Sequence, residues 1–198
     1  MVQSTRERSS IEKLQWITIA WMVVELCVAL YAGVRAHSVA LTAFGGDSAV
    51  ELVSAVVVLR RFALGAESER TAARICGLLL YALAATIVVT SALSLSGRLP
   101  EAEPTMLGIG LLAAAAVLMP LLAGAKRRLG DATGSRAMSA DAAQSNICAF
   151  MSWIALAALL LNRLLHVPWV DPAGALLLLP LVIKEGNEAR KGEVCDCC

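Results

Sequence analysis

Apolar and polar positions follow one another along the chain in long blocks, a pattern that predicts membrane-spanning helices. Stretches of about 20 mostly apolar residues, the length that crosses a hydrocarbon core of about 30 Å, are separated by short segments rich in charges, Gly or Pro. We place the predicted spans at roughly 14–34, 39–59, 74–96, 105–125, 141–164 and 170–188. Since no segment shows the alternation of a strand, the sequence predicts an all-α membrane protein, a six-transmembrane-helix bundle.

The composition agrees with the bilayer as the main solvent of this chain. Hydrophobic residues make up 58% of the 198 residues and charged residues 17%, against about 25% charged residues in an ordinary soluble domain. We therefore expect a polar tail at 1–10, a transmembrane domain at 11–190 and a Cys-rich tail at 191–198, with no soluble domain. The lipid bilayer is the expected partner, and no nucleic-acid partner is expected.

The basic residues predict the orientation of the bundle. Lys and Arg are retained on the cytoplasmic side of a membrane, and all but three of the 17 basic residues fall at the chain ends or in the second and fourth predicted loops. The exceptions are Arg35, Arg98 and Arg163. The distribution predicts both termini in the cytoplasm, an N-in/C-in topology, and the cell (inner) membrane as the location.

Two acids stand inside the second predicted span. Placing an ionisable group at the centre of a membrane helix costs at least about 2.5–3.5 kcal/mol, so such residues usually face a cavity or a partner and mark an ion pathway. Asp47 and Glu51 are four residues apart, which places both carboxylates on one helical face. Because none of the basic residues is expected at this depth, the two acids lack an obvious counter-charge within the protein.

The fifth predicted span carries a matching polar face. Gln144 and Cys148 have the same four-residue spacing, and Asp141 precedes them by one turn. If the second and fifth helices touch, Asp47, Glu51, Gln144 and Cys148 converge on one point and offer four ligands to a divalent ion. Taken singly, Gln144 would be an interhelical hydrogen bond and Cys148 a small apolar filler.

Glu25 also falls near mid-depth, in the first span. It would line the cavity, take a proton or accept hydrogen bonds from Ser and Thr neighbours, and no spacing argument chooses among these. The terminal cysteines present a separate pair of alternatives, since a short Cys-rich end either captures a soft metal or is incidental. They are Cys195, Cys197 and Cys198.

The motifs in three spans resemble those of the cation diffusion facilitators. The resemblance covers essentially the whole bundle and is carried by Ser38, Ala40 and Leu41, then Asp47, Ser48, Glu51 and Ser54, then Asp141, Ser145 and Ser152, and finally Trp169, Asp171, Pro172 and Ala173. Family members place a His and an Asp where this chain has Gln144 and Cys148, and an Asp where it has Glu51. The short tail, in place of a cytoplasmic domain, resembles the transmembrane-only branch of the family.

The resemblance implies transport of a divalent cation in exchange for protons, by alternating access, in a homodimer. Zinc is the first choice by resemblance, with Cd, Mn or Fe as alternatives, and no cofactor is expected beyond the transported ion. Close carboxylates repel each other when the metal leaves, so metal and proton would compete for the same oxygens. A second hypothesis is a non-transporting metal-binding membrane subunit or sensor. An enzyme is not expected, since no GxSxG or HExxH motif occurs.

Overall fold

The structure, a computed structural model, is all-helical in the residues that it describes, which are 2–64, 67–134 and 136–191. Side chains are described for 10–53, 55, 56, 77–134, 138, 139 and 141–187. The six helices are α1 Val2–Arg35, α2 Val39–Leu64, α3 Glu67–Leu95, α4 Met106–Thr133, α5 Arg136–Leu165 and α6 Val170–Lys191. Each predicted span corresponds to one of these helices to within a residue at either end, or is contained in it.

The helices extend beyond the predicted spans at the ends that carry most basic residues. α1 begins at Val2, so nearly all of the polar segment that was predicted as a tail belongs to the first helix. The apolar blocks mark the part of a helix that suits lipid, whereas backbone hydrogen bonds continue the helix into polar sequence. The N-terminus of α4 is capped by Thr105, whose side chain accepts a hydrogen bond from the backbone N–H of Gly108.

α2 lies inside the bundle, in contact with α1, α3, α5 and α6. Two glycines allow its close approach to α1. A Cβ atom on Gly33 would lie 2.6 Å from Oγ1 of Thr42, and one on Gly45 would lie 3.0 Å from Cβ of Ala29. Helix pairs in membranes commonly pack through such small residues. The central position of α2 places its two acids inside protein and away from lipid.

Three polar links hold the ends of different helices together on one side of the bundle. Two of them are hydrogen bonds donated by Glu103 and Asn162, and the third is the cap that Asp171 forms on α2. The backbone N–H of Glu103, before α4, donates to the carbonyl of Ala36, after α1, over 2.8 Å. The Nδ2 atom of Asn162, late in α5, donates to the carbonyl of Ala102 over 2.9 Å. The chain segments between α1 and α2, between α3 and α4, and between α5 and α6 therefore lie at the same end.

Asp171 of α6 caps the start of α2 at that same end. Its Oδ1 accepts from the hydroxyl of Ser38 at 2.6 Å, and its Oδ2 accepts from the backbone N–H groups of Val39 at 2.7 Å and Ala40 at 3.4 Å. The first N–H groups of a helix have no partner within the helix, and a carboxylate is a strong acceptor for them. The cap fixes α6 against the beginning of α2.

Four helical segments are long and apolar enough to cross a membrane. They are Ser10–Arg35, Gly77–Leu95, Met106–Thr133 and Asp141–Leu165. Large apolar side chains project from them into the surroundings, among them Trp16, Leu78 and Leu164, each more than 60% exposed. A soluble bundle would bury such residues or cover them with a partner, so these surfaces fit a multi-pass membrane protein.

Candidate functional site

The polar face of α2 is completely enclosed by its neighbours. Asp47, Ser48 and Glu51 expose at most 1% of their surface. Asp47 and Glu51 follow each other by one helical turn, as their spacing predicts, and their carboxylates are close enough to interact electrostatically. Two acids therefore lie close together in the interior, shielded from the surroundings of the bundle.

Glu25 of α1 belongs to the same cluster. Its Oε1 accepts a hydrogen bond from the hydroxyl of Ser48 over 2.8 Å and another from the Sγ atom of Cys148 over 3.5 Å. Its side chain is fully buried, and its carboxyl group interacts with that of Glu51. Of the roles that the sequence left open for Glu25, accepting a hydrogen bond from a Ser neighbour describes its place in the structure.

α5 contributes two residues to this cluster, and they are not the predicted pair. Cys148 is fully buried and interacts with Glu25, Asp47 and Glu51. Gln144 is half-buried, and no hydrogen bond among the described residues joins it to the acids. Ser145, one position further along α5, is fully buried and donates a short hydrogen bond to Oε1 of Glu51. The structure brings three of the four predicted ligands together and leaves Gln144 at the side.

The expectation that the acids have no counter-charge is wrong. Lys126 of α4 is fully buried, and its Nζ atom lies 3.4 Å from Oε1 of Glu51. The same ammonium group is 2.6 Å from Oγ of Ser145 and 3.0 Å from Oδ2 of Asp141. From the sequence, Lys126 was counted with the loop after the fourth span, because a stretch of basic residues begins there.

Asp141 is the second acid in contact with Lys126. Its Oδ2 also accepts from Nε2 of Gln15 in α1 over 2.8 Å, and that nitrogen lies 3.5 Å from the Sδ atom of Met138. Polar contacts centred on Lys126 and Asp141 therefore connect α1, α2, α4 and α5. Removing one partner of a buried ion pair strongly destabilises a protein, because the other charge is left buried without compensation.

Several carboxylate oxygens of the three clustered acids and of Asp141 have no hydrogen-bond partner within the described part of the chain. They are Oε2 of Glu25, Oδ1 of Asp47, Oε2 of Glu51 and Oδ1 of Asp141. Glu185 of α6 is also buried and interacts with Asp47. Among the residues with described side chains, Lys126 is the one buried Lys or Arg, so acidic groups exceed basic groups in this interior. A buried acid without a partner is costly unless a proton or a cation neutralises it.

In this conformation the described acids do not form a complete metal-binding site. Within the described residues, no group of three or more His, Cys, Asp or Glu side chains is arranged so that it could hold a metal ion. The chemistry of the donors, carboxylate oxygens with one thiol, suits a divalent cation, but their positions differ from a coordination shell.

One signal in the sequence could have identified Lys126. The buried positions of α4 recur at three- and four-residue intervals, from Leu112 through Met119 and Ala123 to Lys126 and Gly130. Lys126 continues this apolar face, whereas Arg127 and Arg128 point away from it and are exposed. The periodicity of a helix, followed past the last apolar residue, separates the buried Lys from its solvated neighbours.

Three terminal cysteines and two histidines also carry side chains that can bind a metal. Cys195, Cys197 and Cys198 lie outside the described residues. His37 and His166 are exposed and have positive φ angles of 51° and 54° in the turns that follow α1 and α5. Both turns lie at the end of the bundle where Asp171 caps α2, so neither imidazole contacts the buried acids.

The fold and the cluster together define an α-helical protein, compatible with a multi-pass membrane protein, that has an acidic polar centre between α1, α2, α4 and α5. A comparison with protein-family models finds no match to the chain, and a comparison with curated proteins finds none either.

Proposed function

We propose that this protein transports a divalent metal cation through the bundle, with Glu25, Asp47 and Glu51 as the ion-binding carboxylates. One observation carries the proposal: the three acids are buried together between α1 and α2, and each keeps an oxygen that has no hydrogen-bond partner among the described residues. Ionisable groups inside a membrane protein are expensive and usually functional. A structural role would be expected to use up these oxygens in hydrogen bonds.

The site lies between α1, α2 and α5, one helix more than the sequence predicted. Asp47 would bind the ion from the centre, while Glu25 and Glu51 turn toward it from either side. Cys148 interacts with all three acids and is the residue through which a thiolate would favour zinc or another soft ion. In the absence of a thiolate, carboxylates alone would suit Mn or Fe.

Exchange for protons follows from the crowding of the acids. Three carboxylates within a low-dielectric interior cannot all remain charged after the cation leaves, so protons replace it. Cation and protons would then use the same oxygens in alternation, which is the basis of antiport. The resemblance to the cation diffusion facilitators supports the same reaction and zinc as the first cargo.

Six membrane crossings, with both termini in the cytoplasm, complete the proposal. The three links at one end of the bundle support this topology, because they place the α1–α2, α3–α4 and α5–α6 turns on the same side. Such an arrangement is expected when every helix crosses the bilayer. The basic residues near the opposite end support that end as the cytoplasmic one.

The test is ion flux into sealed proteoliposomes, measured for a panel of divalent cations with and without a pH gradient. We expect flux of zinc by the unmodified protein and a loss of at least about tenfold in Asp47→Asn, since an amide removes the charge that binds the ion. Glu25→Gln and Glu51→Gln should lose flux in the same way. Glu103→Gln is the matched control, because Glu103 is an exposed glutamate, and it should retain flux.

The outcome also separates transport from the alternative function, a metal-binding subunit or sensor. That alternative predicts a protein that is stabilised by zinc and moves none of it. Flux that survives in the double variant Asp47→Ala, Glu51→Ala would show that these carboxylates are not the carriers.

A further inference from the structure

Lys126 has a position that the transport proposal does not explain. A buried ammonium next to a cation site opposes cation binding, because like charges repel strongly in an interior of low dielectric constant. The Nζ atom is nevertheless 3.4 Å from Glu51, one of the proposed ion-binding residues, and the Lys126 side chain is fully buried. A site selected only for affinity would not keep a permanent competitor at this distance.

The ammonium group contacts two acids at the same time. It is closer to Asp141, at 3.0 Å, than to Glu51, at 3.4 Å, and Oγ of Ser145 accepts from it at 2.6 Å between the two acids. Ser145 in turn donates to Glu51. A small rotation of the lysine stem would therefore exchange the Glu51 contact for a closer one with Asp141, without any movement of the helices.

Asp141 can accept further hydrogen bonds from the ammonium group of Lys126. Its Oδ2 is held in place by Gln15 from α1 at 2.8 Å, and its Oδ1 is buried without a hydrogen-bond partner in the described part of the chain. An ammonium group has three N–H donors, and a carboxylate accepts them on either oxygen. The free Oδ1 provides a second acceptor for an ammonium group that has left Glu51.

We propose that Lys126 is a tethered counter-cation of the ion site, which neutralises Glu51 when the transported ion is absent and moves onto Asp141 when the ion binds. This inference rests on the proposed transport function and adds a residue that controls it. The ammonium group and the transported ion compete for Glu51. This competition lowers the affinity of the site for the ion and promotes its release, so that the cation does not stay trapped by the carboxylates. Lys126 is a positioning residue, since it acts on the ion through Glu51.

The experiment compares zinc affinity and transport in the purified full-length protein and in four variants. Lys126→Gln removes the competing charge, and we expect zinc to bind at least about tenfold more tightly, while the maximal flux in proteoliposomes falls. Lys126→Arg keeps the charge and should restore affinity and flux toward the values of the unmodified protein. Arg127→Gln removes an exposed charge from the next position of α4 and should change neither.

The fourth variant, Lys126→Gln combined with Asp141→Asn, allows for the case in which the single change prevents folding. It removes both charges of the ion pair and leaves two amides that can hydrogen-bond, and it should also bind zinc more tightly than the unmodified protein. Opposite changes in affinity and maximal flux distinguish competition from a structural role, which would lower the melting temperature and leave affinity unchanged.

Two results would overturn the inference in different ways. If the unmodified protein binds and transports zinc, and the Lys126 variants that fold bind it with the same affinity, then Lys126 is structural and the transport function stands. If the unmodified protein binds and transports none of the divalent ions, both the transport function and the role of Lys126 are wrong.

Discussion

The hydroxyl of Ser48 donates a hydrogen bond of 2.8 Å to Oε1 of Glu25, and this contact joins α2 to α1 inside the bundle. The same hydroxyl lies 3.1 Å from the carbonyl oxygen of Phe44, one turn earlier in α2. The hydroxyl has a single donor, so the Phe44 carbonyl is a second, more distant acceptor for the same proton. The pair fixes the carboxylate of α1 beside the two carboxylates of α2 and makes the acidic cluster one of three acids.

Ser48→Ala should destabilise the protein through this pair. Removal of the hydroxyl leaves one donor fewer for a buried carboxylate, and such a loss costs about 1–3 kcal/mol in the free energy of unfolding. Denaturation of the purified protein in one detergent measures the effect. Thr86→Ala is the matched control, because Thr86 is exposed and its hydroxyl bonds only the backbone of its own helix. Its effect should stay within about 0.5 kcal/mol.

An equal loss of stability in the two variants would contradict the buried contact between Ser48 and Glu25. A further expectation is that Ser48→Ala retains the three carboxylates and therefore still moves zinc, at a reduced rate. The change differs in this respect from Asp47→Asn, which removes an ion-binding charge.

The number of membrane crossings can be tested at one turn. Gly97 follows α3 with a φ of 70°, and no atom lies within 4 Å of a Cβ built there, so an inserted epitope has room. If α1, α2 and α3 all cross the membrane, an epitope at Gly97 lies on the opposite side from one at the N-terminus. Antibody access in intact cells and in permeabilised cells measures this, and we expect the Gly97 epitope outside.

A bundle in which α2 fails to cross gives the reverse result, with both epitopes on one side of the membrane. Gly134 serves as the internal reference for this experiment. It ends α4 with a φ of 62°, and an epitope there should be on the cytoplasmic side in the six-crossing topology.

Gly174→Ala tests the close packing of α6 on α5. A Cβ atom on Gly174 would lie 2.5 Å from Cβ of Ala158, a distance at which the two helices must move apart. Overpacking of this kind costs typically about 1–3 kcal/mol, and the melting temperature in detergent should fall. The matched control is Gly110→Ala, where nothing lies within 4 Å of the new methyl group. That change should be neutral or should stabilise α4 by up to about 1 kcal/mol.

A melting temperature that falls by the same amount in both glycine variants would mean that the contact between α5 and α6 is looser than the structure shows. The two glycines both lie within helices, so the comparison isolates the interhelical contact from the helix propensity that the variants share.

The sequence by itself determined the helices and the burial of the two acids in α2. Apolar blocks of about 20 residues leave a chain few alternatives to helices, because every backbone polar group in lipid must be satisfied within its own segment. The four-residue spacing of Asp47 and Glu51 places both carboxylates on one helical face. Because an ionisable group facing lipid costs free energy, that face was expected to point into the bundle. The contact between α2 and α5 was a condition for the proposed site, and the structure has it.

The tertiary structure decided which partners the acids have. On α5, Gln144 and Ser145 are adjacent and both stand at helical spacing from Cys148, so spacing could not choose between them; the rotation of α5 against α2 selects Ser145. Helical periodicity places Lys126 on the buried face of α4, but it could not identify the partners of its charge. By its charge alone, a lysine beside two exposed arginines would be assigned to a solvated loop. The packed helices place Glu51 and Asp141 within reach of its flexible side chain, and these two acids make the buried position favourable.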